Sequence, residues 1–145
     1  MTGEALATLG LAICAGLCGF GSAIGLYFTG SAAAGVLAED PKKFSKVLIL
    51  VVLPATQGIY GFVFAIIGMG SVSAGMDPIV AGKLFAAAMA LTVTGFVSAI
   101  FQGKTAQAGI YSLARNESLS GKLILFPAMV ETYAILGLVI SILLL

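Results

Sequence analysis

Leu123-Ile124-Leu125-Phe126-Pro127-Ala128-Met129-Val130-Glu131-Thr132-Tyr133-Ala134-Ile135-Leu136-Gly137-Leu138-Val139-Ile140-Ser141-Ile142-Leu143-Leu144-Leu145 carries a single charge, Glu131. About 20 mostly apolar residues cross a bilayer as a helix, so this run is long enough to span one. Working back from it, three more such stretches stand near Ala5 to Phe28, Val47 to Gly70 and Val80 to Gln102. Hydrophobic residues make up 60% of the 145 positions and charged residues 9%, where soluble domains average about 25% charged. So few charges cannot make a water-soluble surface. The expectation is an all-α membrane protein of four transmembrane helices, with almost nothing left over for a soluble domain.

Two polar turns, Ala38-Glu39-Asp40-Pro41-Lys42-Lys43 and Arg115-Asn116-Glu117-Ser118-Leu119-Ser120, join the first helix to the second and the third to the fourth, giving hairpins at 1–74 and 75–145. Lys42, Lys43, Lys46, Arg115 and Lys122 gather around these turns, against Glu4, Asp77 and Lys83 on the other side. By the positive-inside tendency the turns are cytoplasmic and both termini lie outside a cell membrane. No Lys or Arg precedes Lys42, so the first apolar segment is expected to be a retained helix rather than a cleaved leader. A net charge of +1 gives no sign of nucleic-acid binding. Cys14 and Cys18, spaced i, i+4 in the first span, read as small packing residues.

The halves resemble each other. Gly19-Phe20-Gly21-Ser22-Ala23-Ile24 answers Gly95-Phe96-Val97-Ser98-Ala99-Ile100, and Ala32-Ala33-Ala34-Gly35 answers Ala106-Gln107-Ala108-Gly109 at a spacing two residues shorter. Each half contains an even number of spans, so the hairpins enter the membrane in the same direction, unlike the inverted repeats of many secondary transporters. Helices one and three are rich in Gly, Ala and Ser, which allow close helix approach in a bilayer. Helices two and four carry bulk: Val51, Val52, Ile59, Phe62, Phe64, Ile66 and Ile67 in one, Ile135, Leu136, Leu138, Val139 and Ile140 in the other. A slim inner pair with a bulky, lipid-facing outer pair is what a homo-oligomeric ring of hairpins requires, although packing within one bundle also explains the composition.

Glu131 is the residue that does not belong in oil. An acid at membrane depth costs roughly 2.5 to 3.5 kcal/mol on insertion scales, so a proton, a cation or a partner should neutralise it. The second helix contains Leu53-Pro54-Ala55-Thr56-Gln57-Gly58-Ile59-Tyr60, with Leu53, Thr56, Gln57 and Tyr60 on one face by the i, i+3, i+4 rule. Pro54 lacks an N–H, which leaves the carbonyl of Leu50 without its helical partner and disturbs Leu53. Gln57 and Glu131 are expected at equivalent places in the two hairpins. Gln102 is expected near mid-depth if its helix continues toward Gly109.

In Leu53-Pro54-Ala55-Thr56-Gln57-Gly58-Ile59-Tyr60-Gly61-Phe62, in Met129-Val130-Glu131-Thr132-Tyr133-Ala134-Ile135-Leu136-Gly137 and in Gln102-Gly103-Lys104, the sequence resembles the K subunit, or proteolipid, of V-type and A/V-type ion-translocating ATPases. These are duplicated relatives of the ATP synthase c subunit. The resemblance implies a non-catalytic subunit of a membrane ring that turns against a stator, each essential glutamate carrying one ion. It assigns sodium to Glu131, Thr56, Gln57, Gln102 and the carbonyl of Leu53, with Tyr60 steadying the glutamate. It also implies a stator arginine, a separate ATP-hydrolysing head and a central stalk, for which Lys42, Lys43 and Arg115 are candidate contacts.

Several oxygen ligands suit a hard cation, whereas a proton needs only Glu131 and an acceptor, so sodium is favoured with the proton as the alternative. One acid per four helices means fewer ions per turn. Because one charge moved through 100 mV costs about 2.3 kcal/mol, this favours a pump over a synthase. A small secondary exchanger using Glu131 and a structural tetraspan protein are the rival readings.

Overall fold

The computed structural model describes residues 2–145 and contains four long apolar helices: α1 (Gly3–Glu39), α2 (Pro41–Met69), α3 (Pro78–Arg115) and α4 (Glu117–Leu143). Each passes the length and composition needed to cross a membrane, and no strand occurs among the described residues.

Local chemistry sets the ends. Asp77 Oδ1 accepts from Ile79 N at 2.8 Å, with Pro78 in the first helical position, where its missing N–H costs nothing. At the far end of α1, Asp40 is extended (φ −145°) ahead of Pro41, as the residue before proline prefers. Asp40 Oδ1 accepts from Lys42 N at 3.1 Å and Asn116 Oδ1 from Ser118 N at 3.1 Å, so the two polar turns use the same side-chain-to-backbone device. Lys43 ties them together, donating to the Ala114 carbonyl at 2.8 Å and lying 3.8 Å from Glu117; Lys46 also pairs with Glu117. Lys43 is thereby engaged within the chain, while Lys42 and Arg115 stay exposed.

α1 and α3 are longer than their apolar stretches. They contain 37 and 38 residues, which at about 1.5 Å per residue exceeds the ~30 Å hydrocarbon core. Hydropathy falls off after Phe28 and Gln102, but Ala, Ser, Leu and Tyr continue the helix, and no proline intervenes before Pro41. The separation of Asp40 and Asn116 equals that of Gly19 and Gly95. The two-residue contraction expected between Ala32 and Ala106 therefore does not occur within these unbroken helices. The shorter Gln57-to-Glu131 interval arises beyond the caps, in α2 and α4.

α1 and α3 make the most extensive helix contact, α2 packs on α1, and α4 on α3. The slim pair meets backbone to backbone. A Cβ at Gly25 would lie 2.5 Å from the Ala99 carbonyl oxygen, and one at Gly21 2.7 Å from that of Phe96, which is how small residues substitute for a hydrophobic drive in lipid. Ile59, Phe62 and Ile66 on α2 and Leu136, Val139 and Ile140 on α4 point outward. Phe64 does not: it is fully buried against Ala7, Leu11, Cys14 and Cys18, because the small residues of α1 and α3 leave room that a large ring fills. Both cysteines are buried and free in this cluster. A second apolar cluster joins Ala32, Val36, Leu50, Ile110 and Leu113. Between the two clusters, along the helices, lies a polar layer.

Candidate functional site

Proline breaks position the polar layer. In α2, regular helix stops at Val52 and resumes at Thr56, with a 3₁₀ turn at Leu53–Ala55. In α4 the break falls at Ile124, ahead of Leu125–Leu143, three residues before Pro127. Each proline removes one donor and clashes with the preceding turn. The consequence in α2 is that the Leu53 carbonyl accepts from the Thr56 hydroxyl at 3.0 Å.

From there a chain of contacts crosses three helices. Thr56 Oγ1 lies 3.3 Å from Gln57 Oε1. Gln57 Nε2 donates to Gln102 Oε1 on α3 at 2.6 Å. Gln102 Nε2 donates to Glu131 Oε2 on α4 at 3.1 Å and to the Pro127 carbonyl at 3.2 Å. The phenol of Tyr60, one turn beyond Gln57, closes on Glu131 Oε1 at 2.6 Å. Leu53, Thr56, Gln57, Gln102, Glu131 and Tyr60, the six residues singled out in the sequence, thus form one connected cluster.

Burial within the cluster is graded. Gln57 and Gln102 have no exposure, while Thr56, Tyr60 and Glu131 are half-buried. Glu131 therefore opens toward the outer face of α4, beside the exposed Phe126, Tyr133 and Leu136. Both oxygens of its carboxyl group receive a donor. No buried side-chain polar atom among the described residues lacks a partner, as low-dielectric surroundings demand. The donor set is oxygen throughout, from carboxylate, amides, hydroxyl and carbonyl, which is the chemistry of hard cations. Among the described residues there is no cluster of three His, Cys, Asp or Glu that would point to a transition metal.

The Pro127 carbonyl, which orients the Gln102 amide, was not identified from the sequence. The signal was the proline itself, since a helix that breaks there exposes carbonyls to a neighbour. Lys104, close in sequence to Gln102, stays outside the cluster: its ammonium lies 5.6 Å from the Phe28 ring centre and 6.0 Å from that of Phe101, a cation–π setting.

Comparison with known proteins gives the same two-part picture. The family model for the ATP synthase C subunit matches twice, over residues 9–68 and 85–144. The chain is 44% identical to the V-type sodium ATPase subunit K of Enterococcus hirae, over 98% of this chain and 91% of that protein. It is 43% identical to the A-type ATP synthase subunit K of Methanocaldococcus jannaschii, over 97% of this chain and 61% of that one. A more distant likeness, 26% over 94% of this chain and 68% of the relative, is to the c'' subunit of the V-type proton ATPase of Saccharomyces cerevisiae.

Proposed function

Since this chain belongs to the ATP synthase C-subunit family, as a duplicated proteolipid of the subunit K kind and a non-catalytic rotor component of a V/A-type ATPase, we propose that it carries sodium ions at Glu131. The ligands in this reading are Glu131, Gln102, Gln57, Thr56 and the Leu53 carbonyl, steadied by Tyr60. The observation that carries it is the convergence on Glu131 of one connected, oxygen-bearing set from two other helices, in which Gln102 and Tyr60 each meet one carboxyl oxygen. Such a set suits a hard cation. An ionised acid in oil needs a cation, and the neighbouring oxygens suit one.

Identical copies assemble into a closed ring in which Glu131 rides at the outer face. An apolar groove of about 310 Å³ between α3 and α4, lined by Val97, Phe101, Val130 and Tyr133 among others, suits the exposed side chains of a neighbouring copy. A loaded, near-neutral site crosses lipid at small electrostatic cost. Release belongs where the stator subunit supplies water and a cationic side chain. The polar turns, facing the cytoplasm with both termini outside, meet the central stalk through Lys42 and Arg115. ATP hydrolysis in a separate head drives the rotation, and one acid per four helices suits a pump working against a steep gradient.

The decisive experiment is carbodiimide modification of Glu131 in the intact complex at neutral pH. Protection by millimolar sodium supports the reading. Equal modification with and without sodium, together with protection on alkalinisation alone, assigns the proton in its place.

A further inference from the structure

Pro54 removes one donor from α2 and tightens Leu53–Ala55 into a 3₁₀ turn, in which the Thr56 N–H bonds the Leu53 carbonyl. The regular i→i−4 ladder is thus interrupted at the turn. In a bilayer interior no water is available to support the backbone there.

α1 supplies side-chain partners on both sides of the turn from one face. The Thr29 hydroxyl, on a residue without exposure, donates to the Val51 carbonyl at 2.9 Å, in the last turn before the break. The Ser22 hydroxyl accepts from the N–H of Gly58 at 2.8 Å, in the first turn after it. Gly25 lies between them on the same face, and a Cβ there would come within 2.6 Å of the Pro54 ring. Two hydroxyls two turns apart thus cap both sides of the 3₁₀ turn while a glycine admits the proline.

The repeat provides an internal control. At the same separation as Gly19 and Gly95 stand Ser98 for Ser22, Thr105 for Thr29 and Phe101 for Gly25. Ser98 donates to the Gly95 carbonyl and Thr105 to that of Phe101, both inside α3. The same hydroxyls are present in the second half, but there they do not reach the neighbouring broken helix. In the first half they reach α2 on either side of the Leu53–Ala55 turn, at the Val51 carbonyl and the Gly58 N–H.

We propose that Ser22 and Thr29 are positioning residues for the ion site, fixing the pitch of the Leu53–Ala55 turn and with it the direction of the Leu53 carbonyl and the Thr56 hydroxyl. This inference rests on the sodium reading above. Neither residue touches the ion; both act through α2.

The test is sodium protection of Glu131 against carbodiimide in the intact complex, comparing the wild type with Thr29→Val, Thr29→Ser and Ser22→Ala. Loss of one net hydrogen bond should raise the half-protecting sodium concentration about fivefold in Thr29→Val and in Ser22→Ala. Thr29→Ser should restore the wild-type value. The pH profile of labelling without sodium should not move, because the Gln102 contact to Glu131 does not run through α1. A merely structural role would lower assembly and labelling together. Protection of Thr29→Val at the wild-type concentration, or failure of Thr29→Ser to restore it, overturns the inference alone. A wild type that sodium does not protect overturns the sodium reading and this inference with it. Where Thr29→Val does not assemble, Ser22→Ala decides by the same criterion.

Discussion

The phenol of Tyr60 on α2 and the carboxylate of Glu131 on α4 are joined at 2.6 Å, although these two helices touch each other far less than each touches a slim helix. The bond therefore acts as a latch between helices that packing alone leaves loosely related. Removing its hydroxyl with Tyr60→Phe takes one donor from a charged acceptor, a contact worth about 1.5 to 3 kcal/mol. We expect the sodium concentration that half-saturates ATP hydrolysis by the complex to rise tenfold or more, with ring assembly unchanged. An unaltered sodium requirement would show that the latch contributes nothing to binding.

Glu131→Gln keeps the shape and hydrogen-bonding capacity of the side chain while removing the charge. Sodium uptake by sealed vesicles should fall to background and carbodiimide labelling should vanish, while the oligomer still forms in detergent. Transport at wild-type rates would instead favour a tetraspan protein with no carrier role.

Gln102 serves three partners at once: it accepts from Gln57 and donates to Glu131 and to the Pro127 carbonyl. Gln102→Leu should consequently do more than weaken one ligand. With buried polar groups left unpaired at about 1 to 3 kcal/mol each, both thermal stability of the purified oligomer and sodium affinity should drop. A variant that loses affinity at unchanged melting temperature would contradict this coupling.

Gly25 admits two neighbours at once, the Ala99 backbone and the Pro54 ring. Gly25→Val should force α1 away from α2 and α3, costing about 1 to 3 kcal/mol or more as overpacking does. We expect a lowered melting temperature and poor accumulation in the membrane. Gly16→Ala, where an added Cβ meets nothing within 4 Å in the same chain, is the control and should leave packing within the chain unchanged.

Glu117 draws Lys43 and Lys46 together at the polar turns, with side-chain exposures of 43% and 44% for Lys46 and Glu117. Exposed pairs of this kind contribute about 0 to 1 kcal/mol. Glu117→Gln should thus shift thermal stability only slightly, and less at high salt; a large loss would mean that the turns are shielded from solvent.

Much of the site was legible because its chemistry is conspicuous. A carboxylate in an apolar run, a proline flanked by an hydroxyl and an amide, and a third-helix glutamine each stand out against oil-facing neighbours. Phe64 was misread for the complementary reason: its side chain is as apolar as those of Phe62 and Ile66, and composition cannot distinguish a ring facing lipid from one facing protein. The ends of α1 and α3 were not legible from their apolar stretches, because hydropathy falls where polarity rises, whereas a helix ends where a cap or proline stops it.

From the amino-acid order alone came the four apolar spans, the all-helical class, the internal repeat and the presence of one acid within the last span, since these depend on local hydrophobicity and on what a bilayer forbids. The tertiary structure decided which way each polar group points and whom it meets. Gln57, Gln102, Glu131 and Tyr60 lie on three helices, and Ser22 and Thr29 on a fourth. Their contacts depend on how those helices rotate and approach, which is set by backbone contact at Gly21 and Gly25 and by proline breaks rather than by any local pattern.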